Sequence, residues 1–424
     1  MFDIRLLRED FERTKISLSK RGKDFDLERF YELDAKRKDL LKKSEDMKAK
    51  QNAASKMVPR LKKEGMDTRE AMADMKKLSE EIKALEPLVK ACDEELTGFL
   101  LDIPNVPHES VPEGLTDKDN VTIRTWGEPP VFDFEPKPHW EIGEALGIFD
   151  PATAVKIAGS RFTMLRGLGA KLERALINFM LDTHTAKGYE EIMPPYIANR
   201  KSMTGTGQLP DKEGQLFHLE GTELFLIPTA ETPLTNIHQD DIIPANKLPI
   251  LFTAYSPSFR KEAGAAGRDT RGLIRMHQFN KVEIFKLAHP EDSYDELEKL
   301  TRDAEDILIK LGLPYCVTNQ CAGDLGFSNA KTYDLNVWMP SYGRYVEISS
   351  CSNFEAFQAR RTGIRYKEPG GKPVFPHTLN GSGLAANRTT AAILENFQTK
   401  DGRVVIPDVL VPYMGGVNEI SKFS

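Results

Sequence analysis

The feature of the sequence that most constrains its fold is a row of apolar residues between Met75 and Phe99, whose spacing alternates between three and four. Such spacing gathers apolar side chains on one stripe of a helix and is typical of a coiled-coil seam. The stretch before it repeats every seven residues, with one mainly apolar layer and a second layer that is half polar. These layers are Leu33, Leu40, Met47, Ala54 and Leu61, and Phe30, Arg37, Ser44, Gln51 and Val58. The pattern predicts two long helices packed against each other.

A turn between these helices is predicted at Gly65-Met66-Asp67, because glycine favours a helix end and aspartate is a good N-cap. Two antiparallel helices of about thirty-odd residues each would form an arm roughly 50 Å long. Pro59 and Pro87 predict a local kink or shortening, since proline lacks the N–H that an inner helical position requires.

The two helices differ in charge. Residues 36–64 contain eleven Lys and Arg against four Asp and Glu, whereas residues 67–95 contain five against nine. Such charges often do no more than solvate a coiled coil. A two-stranded arm buries too little to form a core of its own, however, so a partner is favoured, and the basic helix suits an RNA backbone. The scarcity of aromatic residues in 32–98 favours recognition of shape over bases.

A chain of 424 residues is too long for one ordinary core, and we predict two domains. The first spans residues 1–103 and carries the antiparallel coiled-coil arm. Residues 104–118 form a linker, because the stretch around them contains three prolines and no periodicity. The second domain spans residues 119–424.

Composition excludes several classes of protein. The net charge of −6 disfavours strong general affinity for nucleic acid, although it leaves room for local basic patches. The four cysteines form no C-x-x-C pair, which favours buried free thiols over a zinc ribbon or disulfide framework. The N-terminus lacks the apolar core of a signal peptide. The sequence contains no uninterrupted run of eighteen apolar residues, so a membrane span is not predicted. We expect a cytoplasmic protein.

The second domain is predicted to be a mixture of helices and strands. A helix is predicted over 170–187, ending at Gly188. Strands are predicted at 224–228, 250–260, 274–287, 315–321, 331–339 and 344–350, and their proximity predicts an antiparallel sheet. The expected fold is therefore α+β, with helices beside that sheet. Neither a Rossmann glycine motif nor a P-loop is present.

One stretch of this domain predicts a binding site. If 253–262 and 273–287 are the arms of a hairpin, Arg260 and Glu262 share one face, as do Arg275, Phe279 and Glu283. Such a surface suits a nucleoside triphosphate beside a small zwitterion, because guanidinium binds phosphate or carboxylate and a flat ring stacks on a base. The alternative is a solvated charged face. Three glycines at 264, 267 and 272 give this turn more backbone freedom than a plain hairpin needs.

The order Phe-Arg-x-Glu, loop, Arg-x-x-x-Phe resembles the second signature motif of class II aminoacyl-tRNA synthetases, in the form found in the seryl-tRNA synthetase family. The resemblance covers nearly the whole chain. A helix, strand and Pro195 resemble the first class II motif, at a dimer interface, and HTLNGSGLAANRT resembles the third. Further matching segments are DNVTIRTWGEPPVFDF, GSRF, TGTGQLP, IPTAETPLTN and EISSCSNFEAFQARR.

The resemblance implies ATP-dependent activation of L-serine and its transfer to tRNA(Ser), with tRNA(Sec) as a further candidate substrate. Phosphoryl chemistry of this kind needs positioning and cationic stabilisation more than a nucleophile. Arg260 is expected to bridge the serine carboxylate and the α-phosphate, and Arg388, within two turns of a helix opening in GSGLAANRT, to bind the γ-phosphate. The expected ATP-binding residues are Arg260, Lys261, Glu262, Arg275, Met276, Phe279, Glu347, Ile348, Ser349, Ser350 and Arg388, with Glu262 and Phe279 on adenine.

Mg²⁺ is expected on Glu347 and Ser350. These residues are three apart, so a regular strand would place them on opposite faces, and a bulge or a strand end is required there. The Ser-Ser-Cys run that follows lacks the elbow and partners of a nucleophile, so covalent catalysis is disfavoured.

For serine itself, the resemblance implies Thr229, Ala230 and Glu231 near the α-ammonium, Glu283 on the side-chain hydroxyl, and Asn380 and Ser382 closing the pocket. It also implies a homodimer. Two alternatives stay open: a catalytically inactive relative that binds tRNA as a regulator, and a relative that loads a carrier protein. The first is disfavoured by the presence of four expected site residues, Arg260, Glu262, Glu347 and Arg388, and the second by the basic arm at 36–64.

Overall fold

The computed structural model describes residues 1–210, 212–262 and 271–422, and the chain divides into two compact units. Gly264 and Gly267, expected in the turn of the hairpin, lie outside the described residues. One unit contains residues 2–19 and 23–103. The other contains residue 1, residues 20–22 and the described residues from 104 onward.

Four helices build the first unit: α1 (Ile4–Glu9), α2 (Phe11–Ser19), α3 (Arg29–Lys63) and α4 (Arg69–Asp102). The paired helices α3 and α4 form the predicted arm. Every residue of the predicted seam is buried or half-buried, including the polar Ser44 and Gln51. The heptad prediction is therefore confirmed. Arg37 and Asp93 join the two helices through a 2.6 Å ion pair.

The turn between the helices lies where the sequence predicts it. Gly65 adopts a left-handed φ of 70° directly after α3. The N-cap of α4 is Thr68 rather than Asp67, although the Asp67 carboxylate accepts from the backbone N–H of Arg69 at 2.9 Å. Both helices continue past Pro59 and Pro87, so neither proline shortens its helix.

The second unit is a mixture of helices and strands. Its α-helices are α5 (His139–Ala145), α6 (Pro151–Ala158), α7 (Leu168–Thr185), α8 (Arg200–Gly205), α9 (Glu231–Thr235), α10 (Ser293–Leu311), α11 (Phe357–Thr362) and α12 (Ala386–Asn396). Short 3₁₀ turns lie at Asp117–Asp119, Glu213–Gln215, Ala245–Lys247, Pro290–Asp292 and Asp408–Leu410. Its strands are β1 (Val121–Trp126), β2 (Glu190–Glu191), β3 (Ile197–Asn199), β4 (Leu224–Leu226), β5 (Ile242–Pro244), β6 (Ile250–Phe259), β7 (Gln278–Ala288), β8 (Tyr315–Asn319), β9 (Lys331–Met339), β10 (Arg344–Asn353), β11 (Arg365–Lys367), β12 (His377–Ala385), β13 (Val404–Val405) and β14 (Glu419–Ile420).

Eight strands form the central sheet in the order β1-β8-β9-β10-β12-β7-β6-β2. All neighbouring pairs are antiparallel except β2 and β6 at one edge. Helices α7, α10 and α12 pack against the sheet, and the residues of β7 that meet this core, such as Val282 and Ile284, alternate with residues on the opposite face. The predicted α+β fold with an antiparallel sheet is confirmed.

Several predicted boundaries are wrong. Strand β7 begins at Gln278 rather than 274, β4 and β8 end early, and β10 extends to Asn353. Strand β12 was not predicted at all, because its Asn-Gly-Ser-Gly run resembles a loop before a helix. The predicted helix at 170–187 corresponds to α7, and its buried stripe contains Leu172, Leu176 and Met180 as expected.

The segment predicted as a linker is held against the second unit. Asn105 is buried, and its side-chain amide donates to the carbonyls of Ser328 and Phe354 at 3.0 and 2.8 Å. Val111 packs against Ala322 and Leu325. The proline-rich segment is therefore an extended stretch of backbone that hydrogen bonds and apolar contacts hold in place.

None of the helices in the described ranges combines the length and the apolar character that crossing a membrane requires.

Candidate functional site

A cavity of about 760 Å³ lies over the sheet face opposite the helices. Strands β7, β10 and β12 supply its floor, and residues 206–208, 215–216, 228–229, 273–276 and 326–329 supply much of its wall. Most residues predicted to bind substrate line it: Thr229, Glu231, Arg260, Glu262, Arg275, Met276, Phe279, Glu283, Glu347, Ile348, Ser350, Asn380, Ser382 and Arg388. Ala230, Lys261 and Ser349 lie outside this lining. Residues distant in sequence therefore converge on one site.

The hairpin beneath this site is shorter than predicted. Strand β6 ends at Phe259 and β7 begins at Gln278, so Arg260, Glu262 and Arg275 lie beyond the paired strands. The left-handed φ of 47° at Glu262 is incompatible with a continuing strand. The Arg275 guanidinium instead reaches the Glu262 carboxylate at 3.1 Å. Phe279 and Glu283 lie on one face of β7 as expected. The shared strand faces predicted for the two arginines and Glu262 are wrong, although their side chains reach the same cavity.

Arg260 is anchored at the end of β6. Its backbone N–H donates to the carbonyl of His277 at 2.9 Å, and its Nε donates to the carbonyl of Pro228 at 3.3 Å. The guanidinium carbon lies 5.1 Å from the centroid of the Phe279 ring. Burial lowers the pKa of Arg260 below its usual range, because removal from water disfavours the charged form. An anionic ligand would strongly stabilise the charged form of such a buried guanidinium.

The returning segment before β7 is fixed by a buried histidine. The backbone N–H of Leu273 donates to His139 Nε2 at 3.0 Å, while His139 Nδ1 lies 2.7 Å from Glu395 Oε1. Gly272 has a φ of 73°, and a Cβ there would lie 2.1 Å from His139 Nε2. Glycine is therefore required at this close approach, which places Arg275 at the cavity.

Arg388 enters the site from the first turn of α12. The Gly-Ser-Gly segment belongs to β12, and the helix begins at Ala386, within the GSGLAANRT segment where the sequence predicts its start. Arg388 donates to the carbonyl oxygen of Glu347 at 2.7 Å and to its carboxylate at 3.2 Å. A further bond from Nε to the carbonyl of Ile274 fixes the guanidinium plane.

A bulge places Glu347 and Ser350 on the same cavity. The register of β10 against β9 shifts between Glu347 and Ser349, which supplies the irregularity that their spacing requires. Ser350 Oγ donates to Asp334 Oδ1 at 2.5 Å. Burial, and next the charge of Glu347, raise the pKa of Asp334 to about 7.

These oxygens fit a Mg²⁺ ion that also binds phosphate. The Glu347 carboxylate and the Ser350 hydroxyl are hard donors, and Mg²⁺ commonly takes one or two protein ligands with substrate phosphates supplying others. No group of three or more His, Cys, Asp or Glu side chains suited to a metal occurs within the described ranges.

A second cluster surrounds the predicted amino-acid pocket. Thr229 Oγ1 donates to Glu283 Oε2 at 2.8 Å, and Lys281 Nζ lies 2.6 Å from the same oxygen. Asn380 is 6% exposed, and its Nδ2 has no hydrogen-bond partner among the described residues. Since buried donors are nearly always satisfied, this amide is suited to a ligand oxygen.

Glu231 completes this cluster. Its Oε1 accepts from Gln358 Nε2 at 2.6 Å. Burial, followed by the charge of Glu283, raises the pKa of Glu231, while the Gln358 hydrogen bond opposes the rise. An ammonium ligand would relieve this unfavourable burial of negative charge.

Lys281 was not among the predicted site residues, although a signal was present. Phe279, Lys281 and Glu283 differ by two, so a strand places all three on one face. Asp334 and Gln358 were also missed, since they act through residues distant in sequence and leave no local pattern.

The cysteines give no sign of covalent chemistry. All four are buried and free, which confirms the prediction of free thiols. Burial raises the pKa of Cys351 to about 12, so this thiol stays protonated at neutral pH. The nearby hydroxyl of Ser349 is engaged within the protein as well, because its Oγ donates to the carbonyl of Ser382 at 2.7 Å.

Two family models match the chain: the seryl-tRNA synthetase N-terminal domain over residues 1–107, and the tRNA synthetase class II core domain (G, H, P, S and T) over residues 216–397. A serine–tRNA ligase of Caldicellulosiruptor saccharolyticus is 62% identical over 416 residues, covering 98% of this chain and 99% of that protein. One from Carboxydothermus hydrogenoformans is 58% identical over the full length of both.

Solved structures agree. The Pyrococcus horikoshii seryl-tRNA synthetase complexed with ATP has a TM-score of 0.92 and 38% identity, with 99% of each chain covered. A Giardia lamblia prolyl-tRNA synthetase covers 65% of this chain and 56% of its own, with a TM-score of 0.57 and 17% identity, and shares the fold alone. On its sequence identity, its arm and the cavity over its sheet, the chain belongs to the serine–tRNA ligase family of class II aminoacyl-tRNA synthetases.

Proposed function

We propose that the cavity binds ATP and L-serine together, forms seryl-adenylate, and transfers the seryl group to tRNA(Ser). The observation that carries this proposal is the meeting of Arg260 and Arg388 with Glu283 and Asn380 in one cavity. In the first step a serine carboxylate oxygen attacks the α-phosphorus as the bond to the bridging oxygen of pyrophosphate breaks. In the second, a ribose hydroxyl of the tRNA end attacks the carbonyl carbon and AMP leaves.

The arginines would stabilise the charge that develops in the first step. The proposed partner of the serine carboxylate and the α-phosphate is Arg260, and that of the γ-phosphate is Arg388. Both are preset by main-chain hydrogen bonds, so little reorganisation is needed when the polyanion binds. The remaining ATP contacts are assigned to Lys261, Glu262, Arg275, Met276, Phe279, Ile348 and Ser349, with Glu262 and Phe279 on the adenine.

Glu347 and Ser350 would hold Mg²⁺ beside the phosphates. When bound, the ion neutralises phosphate charge and fixes the leaving group. Because the Ser350 hydroxyl donates its proton to the Asp334 carboxylate, the lone pairs of its Oγ would stay available to the ion.

Serine would be recognised through its three polar groups. The α-ammonium is assigned to Glu231 with Thr229 and Ala230, and the hydroxyl to Glu283. Asn380 and Ser382 close the pocket, and the free Asn380 amide supplies a donor to a substrate oxygen. A pocket built to accept from a hydroxyl rejects alanine strongly, because the carboxylate would lose its partner.

The arm is the proposed tRNA-binding element. On α3 six exposed lysines form no ion pair with a carboxylate in the described parts of the chain: Lys42, Lys48, Lys50, Lys56, Lys62 and Lys63. Free surface lysines on one helix suit contacts to phosphates. Charging of tRNA(Sec) extends the proposal, and a tRNA(Sec) transcript in the same charging assay tests it.

A homodimer is also proposed. Apolar side chains of α6 and of the segment that resembles the first class II motif are strongly exposed in the single chain: Val155 by 53% and Ile157 by 74% in α6, and Met193 by 89% in that segment. A second copy that covers them would remove this surface from water. Met193→Asp should then shift the sedimentation profile toward monomer. The proposed location is the cytoplasm, where ATP and tRNA occur together.

Retention of both arginines and of Glu347 in the cavity favours an active ligase over an inactive relative, and the lysine-rich helix favours tRNA over a carrier protein as acceptor. The test is amino-acid-dependent ATP–pyrophosphate exchange with all twenty amino acids, followed by charging of tRNA(Ser). Serine alone should support rapid exchange. Arg260→Ala should reduce exchange by about 10²-fold or more with an unchanged circular dichroism spectrum, and Arg260→Lys by less. Near-normal exchange by Arg260→Ala would remove its assigned role.

A further inference from the structure

Lys281 lies in the middle of the residues assigned to serine. Its Nζ is 2.6 Å from Glu283 Oε2 and donates to Thr229 Oγ1 at 2.7 Å. The side chains of Lys281 and Glu283 are 8% and 2% exposed. A buried carboxylate in so close a pair has its charge balanced from within the protein. Both contacts to Glu283 end on Oε2, so Oε1 keeps its capacity to accept.

Glu231 is treated differently by its surroundings. Its carboxylate accepts from the neutral amide of Gln358, and Lys281, whose charge also acts on Glu231, forms its close ion pair with Glu283 instead. The site therefore offers one carboxylate in direct contact with a lysine and one in direct contact with a neutral amide.

We propose that Lys281 determines which carboxylate receives which group of the amino acid. Because Lys281 balances Glu283, the substrate ammonium gains more from Glu231, and Glu283 Oε1 is reserved for the hydroxyl. This inference rests on the proposed function and adds a specificity-determining residue to it. Lys281 acts through Glu283 and Thr229, so it is a positioning residue.

The arrangement makes selectivity for serine depend on Lys281. Alanine carries the same ammonium as serine but no hydroxyl, so it satisfies Glu231 and leaves Glu283 without a donor on Oε1. Without Lys281, Glu283 would be a second anion able to attract the ammonium. Alanine would then satisfy both carboxylates partly, and the advantage of serine would shrink.

The experiment compares kcat/KM in ATP–pyrophosphate exchange for serine and for alanine. Lys281→Met removes the charge at similar length, and Lys281→Arg keeps it. We expect Lys281→Met to reduce the serine-to-alanine ratio by about tenfold or more. The KM for ATP should change by less than about twofold, because the variant removes no group assigned to ATP. Lys281→Arg should restore most of the ratio.

A second background, the Glu283→Gln variant, separates the proposed effect of Lys281 from a loss of folding. Since Lys281→Met leaves Glu283 buried without its cation, the same change is also made in Glu283→Gln, and the double variant then retains neither charge of this pair. The inference expects Lys281→Met to leave the ratio of the Glu283→Gln variant unchanged, because Lys281 acts through that carboxylate.

Equal losses for serine and alanine in Lys281→Met would overturn the inference and assign Lys281 a purely structural role. An equal effect on the ratio in both backgrounds would also overturn it. Failure of the proposed function is distinct: in that case the unmodified protein itself shows no serine-dependent exchange.

Discussion

One guanidinium nitrogen of Arg388 donates to both the main-chain carbonyl of Glu347, at 2.7 Å, and the carboxylate of the same residue, at 3.2 Å. The first turn of α12 is thereby joined to the bulged part of β10. The arginine assigned to the γ-phosphate and the carboxylate assigned to Mg²⁺ therefore hold each other in place.

Glu347→Gln should raise the Mg²⁺ concentration needed for half-maximal exchange by about tenfold, because the amide is a weaker ligand for a hard cation. The main-chain contact to Arg388 is retained, so the fold should be unaffected. A titration of exchange rate against Mg²⁺ measures the effect. Glu291→Gln, at an exposed position in a 3₁₀ turn, is the control, and an unchanged titration for Glu347→Gln would contradict the metal assignment.

Asn380→Ala should separate binding from stability. Because Asn380 Nδ2 has no hydrogen-bond partner among the described residues, its removal should change Tm little while lowering kcat/KM for serine by about tenfold or more. Asn396→Ala is the matched control. Its amide donates to the carbonyls of Trp338 and Ala392, each at 2.9 Å, so this variant should lower Tm and leave the KM for serine unchanged. The reverse pattern would place serine elsewhere.

The lysines of α3 should contribute to tRNA binding alone. Changing Lys48, Lys50 and Lys56 to Ala should raise the KM for tRNA(Ser), because fewer phosphates are neutralised. The salt dependence of binding should fall by about one unit of slope for each phosphate that no longer meets a lysine. Serine-dependent exchange should be unchanged, since it requires no tRNA.

The same triple change at Lys76, Lys77 and Lys83 of the acidic helix α4 provides the control, because those lysines are equally exposed. Equal weakening by both triple variants would show that only the total charge matters. Loss of exchange in the α3 variant would argue against separate roles for the two units.

Glu173 should make the fold sensitive to pH. Burial raises its pKa from 4.5 to about 7, against hydrogen bonds from Thr390 and Asn280 that lower it. Between these values the unfolded chain releases a proton that the folded chain retains. The free energy of unfolding therefore falls as pH rises from 4.5 to 7, by about 3 kcal/mol in total, and then levels off.

Glu173→Gln carries no titratable proton and should lack this loss. Urea denaturation at about pH 5 and about pH 8 measures the free energy of unfolding near the start of this range and above its end. Relative to the unmodified chain, Glu173→Gln should be more stable at the higher pH than at the lower one. Glu144→Gln at an exposed site should follow the unmodified chain. A difference between Glu173→Gln and the unmodified chain that is the same at both pH values would refute the shift.

Local patterns predicted some elements well. The heptad seam of α3 and α4 needs only the periodicity of a helix and a partner with the same period, so its residues could be identified directly. Strand β9 was equally accessible, because polar and apolar residues alternate from Thr332 to Val337.

The ends of the hairpin depend on distant residues and could not be predicted. His139 fixes the segment before β7 from more than one hundred residues away, and nothing within 273–277 shows that it leaves the sheet. Lys281 is a different case. Its position, two residues from both Phe279 and Glu283, places it on their face of a strand, so alternation alone predicts that Lys281 belongs to the site.

The single additional residue in β10 has a consequence for how the site can vary. Removing one amino acid between Glu347 and Ser350 would leave these residues two apart, and a regular strand would then still present both side chains to the phosphates. A chain shortened by one residue at this point, in a strand that pairs without a bulge, should therefore fold and keep both proposed metal ligands.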